Sequence, residues 1–255
     1  MPKKSDIVVK ADGLTKSYGG KIVVDNIELS VKRGEVFGIL GPNGAGKTTT
    51  IEMIEAMRPI DSGEVLVEGM NVKQRPYDIR QIIGVQPQSS AFQDKTKLRE
   101  IIEMFAAAYG EKVDPIVFLK QVHLEEKADA FAETLSGGQR QRLSIATALV
   151  HRPKVFFMDE PTTGLDPQAR RNLWELVQNI RDKGVTVIIT THYMDEAEIL
   201  CDRVAIMDNG KIIALDTPND LIKQLLKKGF KKTQAVEQAN LEDVFIDLTG
   251  KALRE

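Results

Sequence analysis

The chain is poor in the residues that would tie it to several large functional classes. Among its 255 residues there is one cysteine, Cys201, which excludes an internal disulfide and any cysteine-cluster metal site and fits a reducing compartment. That residue reads as a small buried filler rather than a reactive thiol. No stretch reaches the roughly 18 to 20 consecutive apolar residues of a membrane-spanning helix, and the opening Met1-Pro2-Lys3-Lys4 is not followed by a secretory apolar core. A chain of this kind working at a membrane requires another chain to cross it. The formal net charge is only -2, so no global positive field exists to attract nucleic acid or anionic lipid. Basic residues do gather at Lys223, Lys227, Lys228, Lys231 and Lys232, and a solvated helix end accounts for such a run. What remains is ordinary for a folded globular protein: 42% apolar and 28% charged, long enough for one large domain with a short tail.

Residues 7–9 and 22–31 alternate apolar with polar side chains around Gly19-Gly20, which predicts an antiparallel hairpin or edge layer. The compact run Val36-Phe37-Gly38-Ile39-Leu40 then enters a glycine-rich turn and a helix expected over about 47–57. Residues 64–67 and 82–85 read as further short strands. From Leu98 to Val122 the pattern is helical, with Leu98, Ile101, Ile102 and Phe105 on one face and Asp114-Pro115 starting a second helix. A helical insertion is therefore expected at about 89–150. Alternation of strand and helix then resumes, with strands at 155–158 and 185–190, helices at 167–182 and near 194–200, and a hairpin turning at Asp208-Asn209-Gly210. These elements predict an α/β fold with a mostly parallel sheet core, an antiparallel N-terminal layer, the helical insertion and a short C-terminal appendage. The main domain is expected at 1–225 and the tail at 226–255.

Three segments carry chemistry. Gly41-Pro42-Asn43-Gly44-Ala45-Gly46-Lys47-Thr48 fits the phosphate-loop pattern and lies between a strand and a helix, as the mechanism requires. Its glycines let backbone N–H groups turn toward phosphate oxygens, the helix N-terminus adds positive charge, Lys47 reaches the terminal phosphates and Thr48 offers a hydroxyl to Mg²⁺. Next, the apolar strand Val155-Phe156-Phe157-Met158 ends in Asp159-Glu160, which places two carboxylates at the ligand edge of an open α/β sheet. Asp159 suits a magnesium shell, and Glu160 suits a general base for the attacking water. Finally, Ser136-Gly137-Gly138-Gln139 forms a capping box before a helix. It is either a good cap and no more, or a second anion-binding helix end that needs a phosphate from elsewhere.

The loop at 41–48, Leu135-Ser136-Gly137-Gly138-Gln139 and the strand ending in Asp159-Glu160, in that order and spacing, resemble the ATP-binding cassette (ABC) family over about residues 7–225. The resemblance implies an ATPase using ATP and Mg²⁺, dimerised head to tail so that each ATP lies between the 41–48 loop of one subunit and residues 136–139 of the other. It further implies that Tyr18 stacks on adenine, Thr49 joins the phosphate loop, Gln88 senses magnesium and water, Asp166 links the two sites, and His192 contacts the terminal phosphate. Tyr18 taken alone reads as a packed or half-exposed tyrosine, Gln86 is a rival to Gln88, and His192 follows another strand end on the ligand side.

More loosely, Leu241-Glu242-Asp243-Val244-Phe245 and the surroundings of the loop resemble ATPase subunits of ABC-2 type, multidrug-like exporters. Such subunits lie on the cytoplasmic side of the cell membrane against a separate membrane-spanning permease, whose coupling helix would meet the region between Gln88 and Phe105. Members acting on DNA or ribosomes form the alternative. One cassette, one cysteine, no sustained heptads and net negative charge argue against them, and the pairing of Glu160 with His192 argues against a clamp without turnover. Direct membrane insertion and nucleic-acid binding are not expected.

Overall fold

The computed structural model describes residues 6–88, 91–230, 244, 247 and 248. Strands β1 (Ile7–Tyr18) and β2 (Lys21–Lys32) form the expected hairpin about Gly19-Gly20, followed by β3 (Val36–Leu40), α1 (Lys47–Ile54), β4 (Ser62–Val67), β5 (Met70–Asn71), α2 (Pro76–Arg80) and β6 (Ile83–Gln86). Then come α3 (Leu98–Ala108), α4 (Pro115–Gln121), α5 (Gly137–Leu149), β7 (Val155–Asp159), α6 (Pro167–Asp182), β8 (Thr186–Thr191), α7 (Met194–Leu200), β9 (Arg203–Asp208), β10 (Lys211–Asp216) and α8 (Pro218–Lys227).

The strands make two sheets. One is antiparallel, in the order β2-β1-β4-β5; the other runs β10-β9-β3-β8-β7-β6 and is parallel except where β10 meets β9. Buried side chains on one face of the larger sheet, among them Phe37, Ile39, Phe157 and Ile188, pack against the antiparallel sheet and α1. Those on the other, including Leu40, Phe156, Met158 and Ile189, pack against the remaining helices. Central strands covered on both faces read as continuous apolar runs. That is why β3 and β7 were visible in the sequence while β4, whose first half is exposed, showed no sign of which sheet it joins.

Several boundaries differ from those expected, each for a local reason. Helix α1 stops at Ile54 rather than near 57, because Ala56 takes a left-handed φ of 58° and its N–H turns back to the Met53 carbonyl. The helical run 98–122 is cut in two at Gly110, at φ 74°, and α4 restarts at Pro115 with the Asp114 carboxylate accepting the Ile116 N–H at 3.0 Å. Helix α5 packs on α3 and α4 and also on β6, so it joins the insertion to the sheet rather than belonging to one of them. The tail from 231 lies outside the described residues apart from Val244, Asp247 and Leu248, and with it Lys231, Lys232 and most of 241–245.

Glu55, capping the C-terminal end of α1, is buried, and its Oε1 has no hydrogen-bond partner among the described residues. Burial first, and then the charges of Asp159 and Glu52, push its carboxyl up from 4.5 to about 8. The folded chain thus keeps a proton that the unfolded chain releases. Stability from this group is complete below about pH 4.5 and is lost as pH rises toward about 8, by up to about 1.4 kcal/mol per unit. Glu55→Gln preserves the neutral shape and is expected to flatten the fall in Tm between about pH 5 and pH 8. Thermal melts of the two proteins with equal slopes would contradict a buried protonated carboxyl.

Candidate nucleotide site

Residues 41–46 connect β3 to α1 and are held from both sides. The Gly41 N–H donates to the Thr191 carbonyl at 3.2 Å, and the Ala45 carbonyl accepts the Gly210 N–H at 3.0 Å. Two glycines are required sterically. A Cβ on Gly41 would collide with the Met207 carbonyl, and one on Gly46, at φ 103°, would lie 2.6 Å from the Val23 carbonyl. No side chain caps α1 among the described residues, so its first N–H groups face the loop as donors for an anion.

Lys47 and Glu160 form the electrostatic centre. The Lys47 Nζ donates to the carbonyls of Gly41 at 2.8 Å and Pro42 at 3.2 Å, and lies 3.0 Å from Glu160 Oε1, with both side chains buried. Around Glu160 Oε2 stand His192 Nδ1 at 3.3 Å, the Thr163 hydroxyl at 3.4 Å and the Gln88 amide nitrogen at 3.5 Å. Burial alone would raise the Glu160 carboxyl, but Lys47 and then His192 outweigh it and hold it below the usual carboxylate range. Glu160 itself sits at a left-handed φ of 46°, its N–H donating to the Thr190 carbonyl at 3.1 Å and hydroxyl at 3.0 Å. That turn swings its side chain off the end of β7 toward Lys47.

The Thr48 hydroxyl donates to Asp159 Oδ2 at 3.0 Å, and the Thr190 hydroxyl donates to Oδ1 of the same carboxylate. Two hard oxygen donors side by side fit Mg²⁺, which keeps several waters and phosphate oxygens and needs few protein ligands. Among the described residues no cluster of three or more His, Cys, Asp and Glu side chains is placed to hold a metal alone.

A cleft of about 270 Å³ is lined by Asn43, Gly44, Gly46, Lys47, Thr48, Thr49, Gln88 and Glu160, together with Val23. The rivalry between the two glutamines is resolved in position: Gln86 is buried with its amide turned to the Pro87 carbonyl, whereas Gln88 reaches Glu160. Tyr18 stands apart from the cleft wall, half-exposed at the end of β1, its hydroxyl accepting from Arg58 Nη1 at 2.6 Å. Ser136, Gly137, Gly138 and Gln139 line a different cleft of about 250 Å³, shared with Asp166. There Ser136 Oγ accepts the Gln139 backbone N–H and the Gln139 side-chain oxygen Oε1 accepts the Ser136 N–H, the expected capping box, and Asp166 caps α6 by accepting from the backbone N–H groups of Gln168 and Ala169. The fold thus unites the phosphate loop with Gln88, Asp159, Glu160 and His192, and keeps residues 136–139 and Asp166 elsewhere. Val23, Thr163 and Thr190 escaped the sequence reading. Only Thr190 left a trace there, as a hydroxyl residue closing the apolar run Val187-Ile188-Ile189 at the ligand edge.

A strand, a glycine-rich turn, a lysine at the head of a helix and an acidic pair ending a parallel strand define a phosphate-loop nucleoside triphosphatase. The family model described as ABC transporter matches residues 24–163. The linearmycin resistance ATP-binding protein LnrL of Bacillus subtilis is 42% identical over 86% of this chain and 72% of its own, and the Nod factor export ATP-binding protein I of Ralstonia nicotianae is 42% identical over 84% and 68%. Among solved structures, an ATP-binding subunit of an ABC transporter superposes with a TM-score of 0.81 at 27% identity, covering 95% of this chain and 99% of that one. The chain belongs to the ABC transporter family, as an ATP-binding subunit that hydrolyses ATP to drive transport.

Lys47 is the one lysine that lines the cleft among the described residues. Lys47→Ala is expected to weaken ATP binding by about tenfold to a hundredfold, the value of one or two charge-assisted hydrogen bonds. Unchanged affinity in a fluorescent-nucleotide titration would contradict the assignment of the loop.

Proposed function

We propose that the chain powers export through a separate membrane-spanning permease, pairing with a second copy of itself around two Mg-ATP molecules. The observation that carries this reading is the split between the two clefts. The phosphate loop lies with Glu160 and His192, while the uncapped N–H groups of Gly137 and Gly138 and the linking Asp166 lie in another cleft of the same chain. A head-to-tail pair brings the α5 N-terminus of one copy to the phosphates held by the other. Export follows the linearmycin resistance and Nod factor export relatives. No described helix is long and apolar enough to cross a membrane; in this reading the permease is a separate chain and this subunit works at its cytoplasmic face.

In this scheme phosphate oxygens in the loop compete with Glu160 for Lys47. As they draw Lys47 away, the carboxylate loses its strongest opposing charge and becomes a better base. Glu160 then takes a proton from water as the water oxygen attacks the terminal phosphorus and the bond to the ADP oxygen breaks. His192 and Lys47 stabilise the charge on the transferred phosphoryl group, and Gln88 orients the water beside Glu160. Thr48 and Asp159 would hold Mg²⁺, which would supply further neutralisation of phosphate charge.

A cleft of about 220 Å³ lined by Met57, Arg80, Phe105 and Tyr109, with Met57 exposed on it, is a largely apolar seat for a short permease helix. It overlaps the region from Gln88 to Phe105 only at its end, drawing its other walls from α2, β6 and α5 and from Met57 and Tyr109, which follow α1 and α3.

Glu160→Gln is expected to bind ATP and accumulate as a dimer on size exclusion while turnover falls by about a hundredfold or more. Normal turnover would remove Glu160 from the role of base. Met57→Asp, at an exposed position, is expected to abolish co-purification with a polytopic membrane protein from detergent extracts and to leave ATP binding intact. Recovery of the wild-type chain with ribosomes or DNA in place of a membrane protein would overturn the transport reading.

A further inference from the structure

Glu196 is a fully buried carboxyl that the scheme above does not use. It sits in the first turn of α7, among Leu173, Ala197 and Leu200 of the same apolar cluster. Its Oε1 accepts the Trp174 indole N–H at 3.1 Å, and the buried Thr191 and Thr162 side chains lie beside its carboxyl, although neither Oε2 nor the Thr162 hydroxyl has a hydrogen-bond partner among the described residues. Asp195 beside it and the thiol of Cys201 are the neighbouring titratable groups.

Each partner belongs to a segment that carries part of the nucleotide site. Thr191 directly precedes His192; its hydroxyl accepts the Tyr193 N–H at 2.9 Å and its carbonyl accepts the Gly41 N–H at 3.2 Å. Thr162 lies two residues after Glu160, and its carbonyl accepts the Leu165 N–H at 3.1 Å, closing the turn that leads to Asp166. Trp174 is on α6, the helix that Asp166 caps. One side chain therefore ties together the segments bearing Glu160, His192 and Asp166. A leucine of similar volume would bury more cheaply here, but it would strand the Trp174 indole N–H.

We propose that Glu196 is a positioning residue for hydrolysis, setting His192 against Glu160 through its contacts with Thr191, Thr162 and Trp174. The proposal rests on the roles given to Glu160 and His192 above. Burial pushes the Glu196 carboxyl up against the opposing pull of the Thr191, Trp174 and Thr162 side chains, so glutamine is the faithful neutral replacement.

Steady-state ATPase kinetics on purified protein test this. Glu196→Leu is expected to fold, to keep KM for ATP within about twofold, and to lower kcat by about tenfold or more, as a small displacement of a reacting group does. Glu196→Gln is expected to restore kcat to within about threefold of wild type. Because the effect passes through His192, adding Glu196→Leu to His192→Ala is expected to lower kcat by no more than about a further twofold. Normal kcat in Glu196→Leu, a loss carried by KM, equal damage from Gln and Leu, or additive losses in the double variant would each overturn the proposal. If Glu196→Leu does not fold, Trp174→Phe takes its place: it removes one donor, kcat should fall by about threefold at unchanged KM, and an unchanged kcat would be equally fatal. Normal turnover in His192→Ala alone would instead overturn the role of His192, and this proposal with it.

Discussion

The central position of β3, between β8 and β9 in the parallel sheet, is the constraint on which the rest of the molecule depends. Parallel neighbours end at the same edge, so the phosphate loop after β3, Asp159-Glu160 at the end of β7 and His192 after β8 are delivered together although the loop lies more than a hundred residues from the other two. The loop then has no freedom of its own. It is bonded to β8 through Gly41 and to the β9–β10 turn through Ala45 and Gly210, and the adjoining Met207 carbonyl leaves no room for a side chain at 41.

Charge distribution follows from that convergence. Lys47 and Glu160 are buried together, and neither would tolerate burial alone, because an isolated ion in a low-dielectric interior has lost its hydration without gaining a partner. In the proposed scheme the same proximity makes the site responsive: a substrate that carries negative charge into the loop changes the partner of Lys47 and hence the basicity of Glu160, so binding and the preparation for chemistry become one electrostatic event. Farther back, Glu196 and Glu55 show the opposite solution, carboxyls pushed toward the neutral form by burial.

Legibility in the sequence tracked how local each determinant is. The phosphate loop, the Asp114-Pro115 helix start, the Ser136 and Gln139 capping box and the helix over Pro167–Asp182 were readable because short-range spacing alone sets them. The end of α1 was not, since it turns on a left-handed alanine that no composition rule marks. Strand β4 was recognisable as a strand but not as a member of the antiparallel sheet, because pairing with β1 is a long-range choice. The roles of Tyr18 and His192 both came from the family resemblance; the fold puts His192 against Glu160 and the Tyr18 hydroxyl against Arg58.

What the sequence determined by itself, then, is the inventory: a loop able to wrap phosphate, two carboxylates ending an apolar strand, a capped helix with spare N–H groups, and the family these imply. Tertiary structure decided which of them meet. It chose Gln88 over Gln86 by burying the latter, recruited Val23 and Thr190, and separated residues 136–139 from the phosphate loop. The physical reason is that hydrogen-bond and charge partners are selected by strand order and side-chain packing across the chain, and neither is encoded in the spacing of neighbouring residues.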